Sequence, residues 1–103
     1  MVETIFANLA GQFQAGVIKA PTTFYFSIDT VKRTVTLQPD GCRVSSGKSE
    51  SPADCVCKMG TEIFLQVWNH GYRPGMKDFL NGTIKSNDPQ RLKLFLDAFG
   101  KGR

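Results

Sequence analysis

Apolar side chains near the N-terminus recur at the spacing of an α-helix. The stripe consists of Val2, Ile5, Phe6, Leu9 and Phe13. Residues three or four positions apart lie on the same face of a helix, and polar residues fill the positions between them. The pattern therefore predicts an amphipathic helix that ends near Gly16.

After Pro21 the apolar positions alternate, as they do in a strand with one buried face. Phe24, Phe26 and Ile28 alternate with polar residues and Tyr25. The same reasoning predicts five strands, at 22–29, 34–38, 42–46, 54–58 and a brief one at 83–85. Between the second and third strands, Pro39-Asp40-Gly41 predicts a hairpin turn, because glycine tolerates the positive φ that such a turn requires.

Three more helices are predicted in the second half. One begins at Gly60-Thr61-Glu62 and runs to about His70, where Gly71 is suited to end it. Its apolar residues cover more than half of its circumference, which predicts that it lies inside the fold. A short helix follows Pro74-Gly75 and carries Met76, Phe79 and Leu80.

The last predicted helix starts at Asp88-Pro89, a favourable N-cap and first-position pair. Leu92, Phe95, Leu96 and Phe99 form its main apolar stripe, and Leu94 and Ala98 lie on the opposite side. The order of helices and strands predicts an α+β fold, with a mostly antiparallel five-stranded sheet packed against helices. A length of 103 residues fits one domain spanning 1–103, and no apolar run approaches a membrane span.

The charge is concentrated in the last third of the chain. Residues 1–72 carry six bases and six acids, whereas residues 73–103 carry seven bases and three acids, so this segment holds the whole net charge of +4. A basic surface attracts anionic membranes, nucleic acid or an acidic protein. Exposed aromatic residues between the bases, which would favour nucleic acid, are missing from the pattern.

Few residues suggest catalysis or metal binding. His70, the only histidine, has no evident partner, and Cys42, Cys55 and Cys57 do not complete a zinc-binding pattern. Cys55 and Cys57 are better explained as small residues on the inner face of a strand. We therefore expect no enzyme activity, no cofactor and no metal. The odd cysteine number and the lack of a signal-peptide pattern predict free thiols and a cytoplasmic location.

Eight phenylalanines are many large side chains for a chain of this length. They fit an ordinary aromatic core, and they also fit a lined cavity, because ligand pockets are mainly apolar and aromatic. Periodicity does not distinguish a filled core from a lined tunnel.

Several segments, in order, resemble the sterol carrier protein type 2 family of lipid-binding domains. The resemblance is carried by 52–59 with Asp54, by 60–64, by Gly71 and Pro74, and by Phe79-Leu80-Asn81-Gly82-Thr83-Ile84-Lys85. The first half agrees more loosely. Two departures, the additional Gly75 and the sequence Ser86-Asn87-Asp88-Pro89 in place of a Gly-Asp pair, lie where family members close their ligand tunnel.

The resemblance implies a non-catalytic domain that binds and transfers a lipid-like ligand in an apolar cavity or tunnel: a fatty acid, acyl-CoA, phospholipid, isoprenoid or sterol. From their inward-facing positions, the residues expected to line it are Phe24, Phe26, Val35, Phe64, Trp68, Met76, Phe79, Ile84, Phe95 and Phe99, with Leu94 and Ala98 near the mouth. Arg91, Lys93 and Lys101 are expected to contact an anionic membrane, with a solvated basic face as the alternative.

An alternative function is an accessory or dimerisation module of a larger lipid-modifying assembly, with its cavity filled by its own side chains. The expected partners are thus a lipid or fatty-acyl ligand, an anionic membrane, and a second copy of the chain or a larger lipid-metabolism enzyme, but no nucleic acid.

Overall fold

The computed structural model describes residues 2–48 and 52–101. In chain order the helices are α1 (Val2–Ala7), α2 (Thr61–His70), α3 (Met76–Leu80) and α4 (Pro89–Ala98), with a 3₁₀ turn at Leu9–Gln12. The strands are β1 (Thr22–Ile28), β2 (Val31–Gln38), β3 (Gly41–Ser46), β4 (Cys55–Met59) and β5 (Ile84–Ser86). The five strands and the three helices of the second half, all predicted from the sequence, are confirmed to within a few residues.

The five strands form one sheet in the order β3-β2-β1-β4-β5. The expectation of a mostly antiparallel sheet needs correction, because the sheet is mixed: β1 and β4 at its centre are parallel. The chain leaves the edge strand β3 and crosses to the other side of β1 before β4 begins. Thr23 and Asp54 fix the start of the parallel pair, since the Asp54 N–H donates to the Thr23 carbonyl and the Thr23 N–H donates to the Asp54 carboxylate, both at 2.9 Å.

The first helix is shorter than its apolar stripe predicted. Helix α1 ends at Ala7, a 3₁₀ turn follows, and Phe13 is already extended. The Gln14 N–H then donates to the Ala98 carbonyl at 2.7 Å, which ties this segment to the end of α4. This tertiary hydrogen bond takes the place of further helical turns toward Gly16. The stripe still faces the core, because Val2, Phe6 and Leu9 are buried.

The helix ends follow the local sequence closely. Gly71 ends α2 in the left-handed region, with φ of 69°, which glycine adopts without steric cost. The Asp88 side chain accepts from the Arg91 N–H at 3.2 Å and caps α4, with Pro89 at its first position.

Helices α1, α2 and α4 pack on the sheet face that carries Phe24 and Phe26. Ring contacts join Phe26 to Phe6 of α1 at 5.6 Å and to Phe95 of α4 at 4.7 Å. Phe64 of α2 stacks on Phe6 at 5.6 Å. The core therefore lies between one face of the sheet and these helices. Among residues 2–48 and 52–101, no helix has the length and apolar character needed to cross a bilayer.

Candidate functional site

Seven aromatic side chains meet between the sheet and the helices. This aromatic cluster consists of Phe6, Phe24, Phe26, Phe64, Trp68, Phe95 and Phe99, all buried. Phe95 lies at its centre, with ring centroids at 5.0 Å from Phe24, 4.7 Å from Phe26 and 4.8 Å from Phe99. Strand β1 and helices α1, α2 and α4 contribute these rings, with Phe99 directly after α4, because each element has an apolar stripe at its own structural period.

The aromatic cluster leaves little free space in the described part of the chain. A void of about 10 Å³ remains, close to the volume that a single water needs. Its walls are Phe26, Met59, Phe64, Val67, Pro74, Leu92, Phe95 and Leu96. In this structure the chain's own side chains fill the interior.

A surface groove lies above this void. The groove, which we call the basic groove, has a volume of about 410 Å³ and is lined by Arg73, Pro74, Lys93, Leu96, Asp97 and Lys101. Pro74 and Leu96 line both the basic groove and the void beneath it. These two side chains therefore form an apolar floor that faces charged residues on one side and the aromatic cluster on the other.

Lys101 connects the basic groove to the aromatic cluster directly. Its Nζ lies 5.0 Å from the centre of the Trp68 ring, within the range of a cation–π interaction. Trp68 also stacks on Phe64 at 5.9 Å and contacts Phe99 at 5.7 Å. A change at the groove that moves the Lys101 ammonium therefore changes the surroundings of the only tryptophan.

The residues predicted to line a ligand site occupy three kinds of position. Eight are buried in the core: Phe24, Phe26, Val35, Phe64, Trp68, Ile84, Phe95 and Phe99. Phe79 and Leu94 are half-buried and pack against the core. Met76 is not brought together with the others, because α3 turns Phe79 inward and leaves Met76 75% exposed. Ala98, expected near the mouth, is fully buried.

Of the residues predicted for membrane contact, Lys93 and Lys101 line the basic groove. Arg91 instead pairs with Asp88, its Nη1 lying 3.2 Å from the carboxylate at the start of α4. Sequence reasoning did not single out Arg73, Leu96 and Asp97 as site residues. The basic last third was a signal for Arg73, but residues 71–75 have no periodic pattern that would place it beside α4.

Cys55 and Cys57 are buried on the inner face of β4, as predicted. Their sulfur atoms lie 3.6 Å apart, and Ser86 Oγ lies 3.6 Å from that of Cys55. The hydrogen bond with Cys55 and burial both raise the pKa of the Cys57 thiol. In the part of the chain that the structure describes, no three His, Cys, Asp or Glu side chains group as metal ligands.

Helix α3 carries an exposed apolar patch. Met76 and Leu80, one turn apart, are 75% and 80% exposed, and Tyr72 just before the helix is also exposed. The Tyr72 hydroxyl donates to the Asp78 carboxylate at 2.6 Å and the Gly75 N–H donates to the same oxygen at 2.9 Å. These bonds order residues 72–78 locally, whereas no residue of α3 is buried in the core.

No protein-family model matches the sequence, and no curated protein matches it. Solved structures do match in fold. The chain superposes on the stereoselective inverting sec-alkylsulfatase Pisa1 from Pseudomonas sp. with a TM-score of 0.81 and 16% identity, covering 96% of this chain and 16% of that one. It thus spans only a small part of the alkylsulfatase.

Two smaller proteins match over most of both chains. UbiJ-SCP2, a ubiquinone synthesis protein, gives a TM-score of 0.68 at 10% identity over 93% of this chain and 88% of that one. Palmitated SCP2L2 from Aedes aegypti gives a TM-score of 0.55 at 16% identity over 96% and 90%. The resemblance predicted from sequence is therefore confirmed for the fold, which is that of a sterol-carrier-protein-2-like α+β domain.

Proposed function

We propose that this sterol-carrier-like domain binds a lipid-like apolar ligand, without catalysing a reaction on it, and transfers it between surfaces. The observation that carries the proposal is the floor of the basic groove, where Pro74 and Leu96 line both the groove and the void in the aromatic cluster. An apolar chain that passes this floor leaves water and contacts aromatic rings. Each Å² of apolar surface removed from water contributes about 25 cal/mol.

Binding in the interior requires side chains to move. Ligand pockets usually hold about 300–1,000 Å³, whereas the void holds about 10 Å³. Residues 71–80, which contribute Pro74 to the wall of the void, are held only weakly to the core, because α3 buries no residue and only Phe79 of α3 packs against the core. We therefore propose that this segment moves outward, so that the ligand lies between it and α4.

In that bound state the ligand contacts the residues expected to line it. Phe26, Phe64 and Phe95 already face the void, and Trp68 and Phe99 follow along the same ring network. Phe24, Val35, Ile84 and Leu94 line neither the basic groove nor the void, and we propose that a longer ligand reaches them. Met76 takes part at the entrance, from its exposed position on α3. A fatty-acyl ligand is supported by SCP2L2 from Aedes aegypti, a protein of similar fold that is palmitated in its solved structure.

The test is the lipid content and the lipid uptake of the purified protein. Native mass spectrometry should detect a bound lipid, and delipidated protein should take up a fluorescent fatty acid. Phe79→Ser should accelerate uptake, because it weakens the anchor of α3. Leu80→Ser on the same helix is the matched control and should leave the rate unchanged. Protein that carries no lipid and takes none up contradicts the proposal.

A second candidate is an accessory or dimerisation module of a larger lipid-modifying enzyme, with its interior permanently filled. Two observations favour it: the void of about 10 Å³, and the TM-score of 0.81 with a segment that makes up 16% of an alkylsulfatase. Light scattering of the purified chain that shows a dimer, together with absent lipid uptake, would favour this function over the first.

We also propose that residues 1–103 form a single domain that works in the cytoplasm and contacts anionic membranes. Lys93 and Lys101 would face the membrane beside the apolar patch of α3, and Arg91 would add its charge from the first turn of α4. Fractionation of cells that express the tagged protein tests the location, and limited proteolysis tests the single domain.

A further inference from the structure

We infer that the basic groove binds the anionic headgroup of a single-chain amphiphile, a carboxylate or a sulfate, whose alkyl chain passes between Pro74 and Leu96. The inference rests on the proposed function and specifies its ligand class. The structure places cations at one opening to the aromatic interior, and this placement selects among apolar ligands by their polar end.

The charges of the basic groove are unbalanced. Arg73, Lys93 and Lys101 face it with one carboxylate, that of Asp97. Across the described residues, no ion pair joins Asp97 to any of these cations. The groove therefore offers positive charge that its own side chains do not neutralise, which attracts an anion.

The geometry of α4 brings the polar and apolar parts of this site together. Lys93, Leu96 and Asp97 are spaced three and four residues apart and so share one face of the helix. Lys101 follows the helix end, and Arg73 comes from the opposite wall just before α3. An amphiphile whose headgroup lies among these cations has its first methylene groups at Leu96.

Another groove of similar size lacks these properties. It holds about 470 Å³ beside α1, and it is lined by Glu3 and Arg33, one charge of each sign. It does not share with the void the two apolar residues that connect the basic groove to it. Of these two grooves, only the basic groove combines excess positive charge with walls that it shares with the void.

The side chains present suit an oxyanion. The planar guanidinium of Arg73 can donate two parallel hydrogen bonds to a carboxylate or sulfate, and the lysines act as point charges. A free anion and a lipid headgroup share this chemistry, but a free anion gains nothing from Leu96 and the rings below it. The amphiphile should therefore bind far more tightly than its headgroup alone.

The test compares laurate, dodecanol and inorganic sulfate on the intact chain, with Trp68 fluorescence and calorimetry as readouts. Laurate and dodecanol have the same chain length and differ in head charge. We expect laurate to bind at least about tenfold more tightly, the effect of one charge-assisted hydrogen bond. Its affinity should fall as salt rises from 0.05 to about 0.5 M, while that of dodecanol should not fall.

Two exposed substitutions isolate the headgroup site. Arg73→Gln and Lys93→Gln should each weaken laurate binding several-fold and leave dodecanol binding unchanged. Lys58→Gln on β4, away from the groove, is the matched control. Equal affinities for laurate and dodecanol, with no effect of salt or of either variant, overturn the inference and leave the proposed function standing. Failure of both lipids to bind overturns both proposals. Sulfate that binds as tightly as laurate contradicts the inference that the ligand is an amphiphile.

Discussion

Asp29 caps a helix that begins 32 residues later in the chain: its Oδ2 accepts a hydrogen bond from the Thr61 N–H at 2.8 Å. The preceding residue Gly60 occupies the N-cap position of α2 and has no side chain that could accept this bond. The turn between β1 and β2 therefore supplies the cap that the helix lacks. Hydrogen bonds from the Thr61 hydroxyl and N–H lower the pKa of Asp29.

Replacing Asp29 should show how much this cap contributes to the stability of the fold. Asp29→Ala should lower Tm by about 4–8 °C, the effect expected for loss of a helix cap in a domain of this size. Asp29→Asn should lower Tm much less, because its amide oxygen can accept the same hydrogen bond. Asparagine also tolerates the left-handed backbone at this position, where Asp29 has φ of 53°. Thermal unfolding followed by circular dichroism measures the difference. Equal Tm values for the alanine variant and the wild type would contradict the assignment.

The cap also predicts a pH dependence. A carboxylate whose pKa is lowered by folding contributes stability above its unfolded pKa, near 3.9, and loses it as the pH falls through the folded value. The stabilisation of wild type over Asp29→Ala should thus be constant from pH 5 to 7 and shrink below about pH 4. Denaturant unfolding of both proteins between pH 3 and pH 7 checks it. A difference that stays constant down to pH 3 would exclude this role of the carboxylate.

Local sequence patterns predicted the elements better than their arrangement. Asp88-Pro89 located the start of α4, and the alternation of Phe24, Phe26 and Ile28 located β1. The parallel β1–β4 pair depends on where the chain returns after β3, and no local pattern records that crossover. Similarly, both Met76 and Phe79 are apolar residues of α3, and only the packing against the core shows that Phe79 turns inward. Arg73 likewise lines the basic groove beside α4 because of tertiary packing, which no local pattern records.

Phe95 lies at the centre of the aromatic cluster, so its truncation should be costly. Phe95→Ala should reduce the free energy of unfolding by about 3–5 kcal/mol, through lost apolar burial and the cavity that remains. Leu94→Ala, at the neighbouring half-buried position, should cost clearly less. Urea unfolding of the three proteins gives the comparison. Equal losses at the two positions would mean that the cluster does not centre on Phe95.

The three thiols should differ in reactivity. Burial raises the pKa of Cys42 to about 11, and Cys55 and Cys57 are fully buried. At pH 8 only about one Cys42 thiol in a thousand is then a thiolate, so iodoacetamide should modify the native protein slowly and at Cys42 alone. The rate should keep rising with pH up to about 11. Mass spectrometry of the labelled peptides measures it, with Cys42→Ala as the unreactive control and urea-unfolded protein, whose thiols titrate near pH 8.5, as the reactive one.

The raised pKa of Cys42 also implies a loss of stability in alkali. The folded state binds the thiol proton more tightly than the unfolded state. The stability that the Cys42 thiol contributes is therefore complete below the unfolded pKa near 8.5 and declines as the pH rises through about 11. Cys42→Ala should therefore lose less stability than the wild type between pH 8 and pH 11. Parallel stability curves for the two proteins over that range would contradict it.

The apolar patch on α3 should determine how the protein meets a membrane. Met76 and Leu80 are 75% and 80% exposed, and Arg73 and Lys77 beside them are exposed cations. Such a surface should insert its apolar side chains between anionic headgroups while the cations neutralise them. Met76→Ser with Leu80→Ser should weaken binding to phosphatidylglycerol vesicles at least about tenfold, since burying either side chain contributes about 1.5–3 kcal/mol. Because both are exposed, the stability should change by less than about 0.5 kcal/mol.

The cations beside the apolar patch can be tested separately. Lys77→Gln should weaken vesicle binding about fivefold, the effect of about 1 kcal/mol per base, and only on anionic vesicles. Lys58→Gln on β4 should leave vesicle binding unchanged. Vesicle sedimentation measures all four proteins, and binding that is equal for the wild type and the double variant would show that α3 does not touch the bilayer.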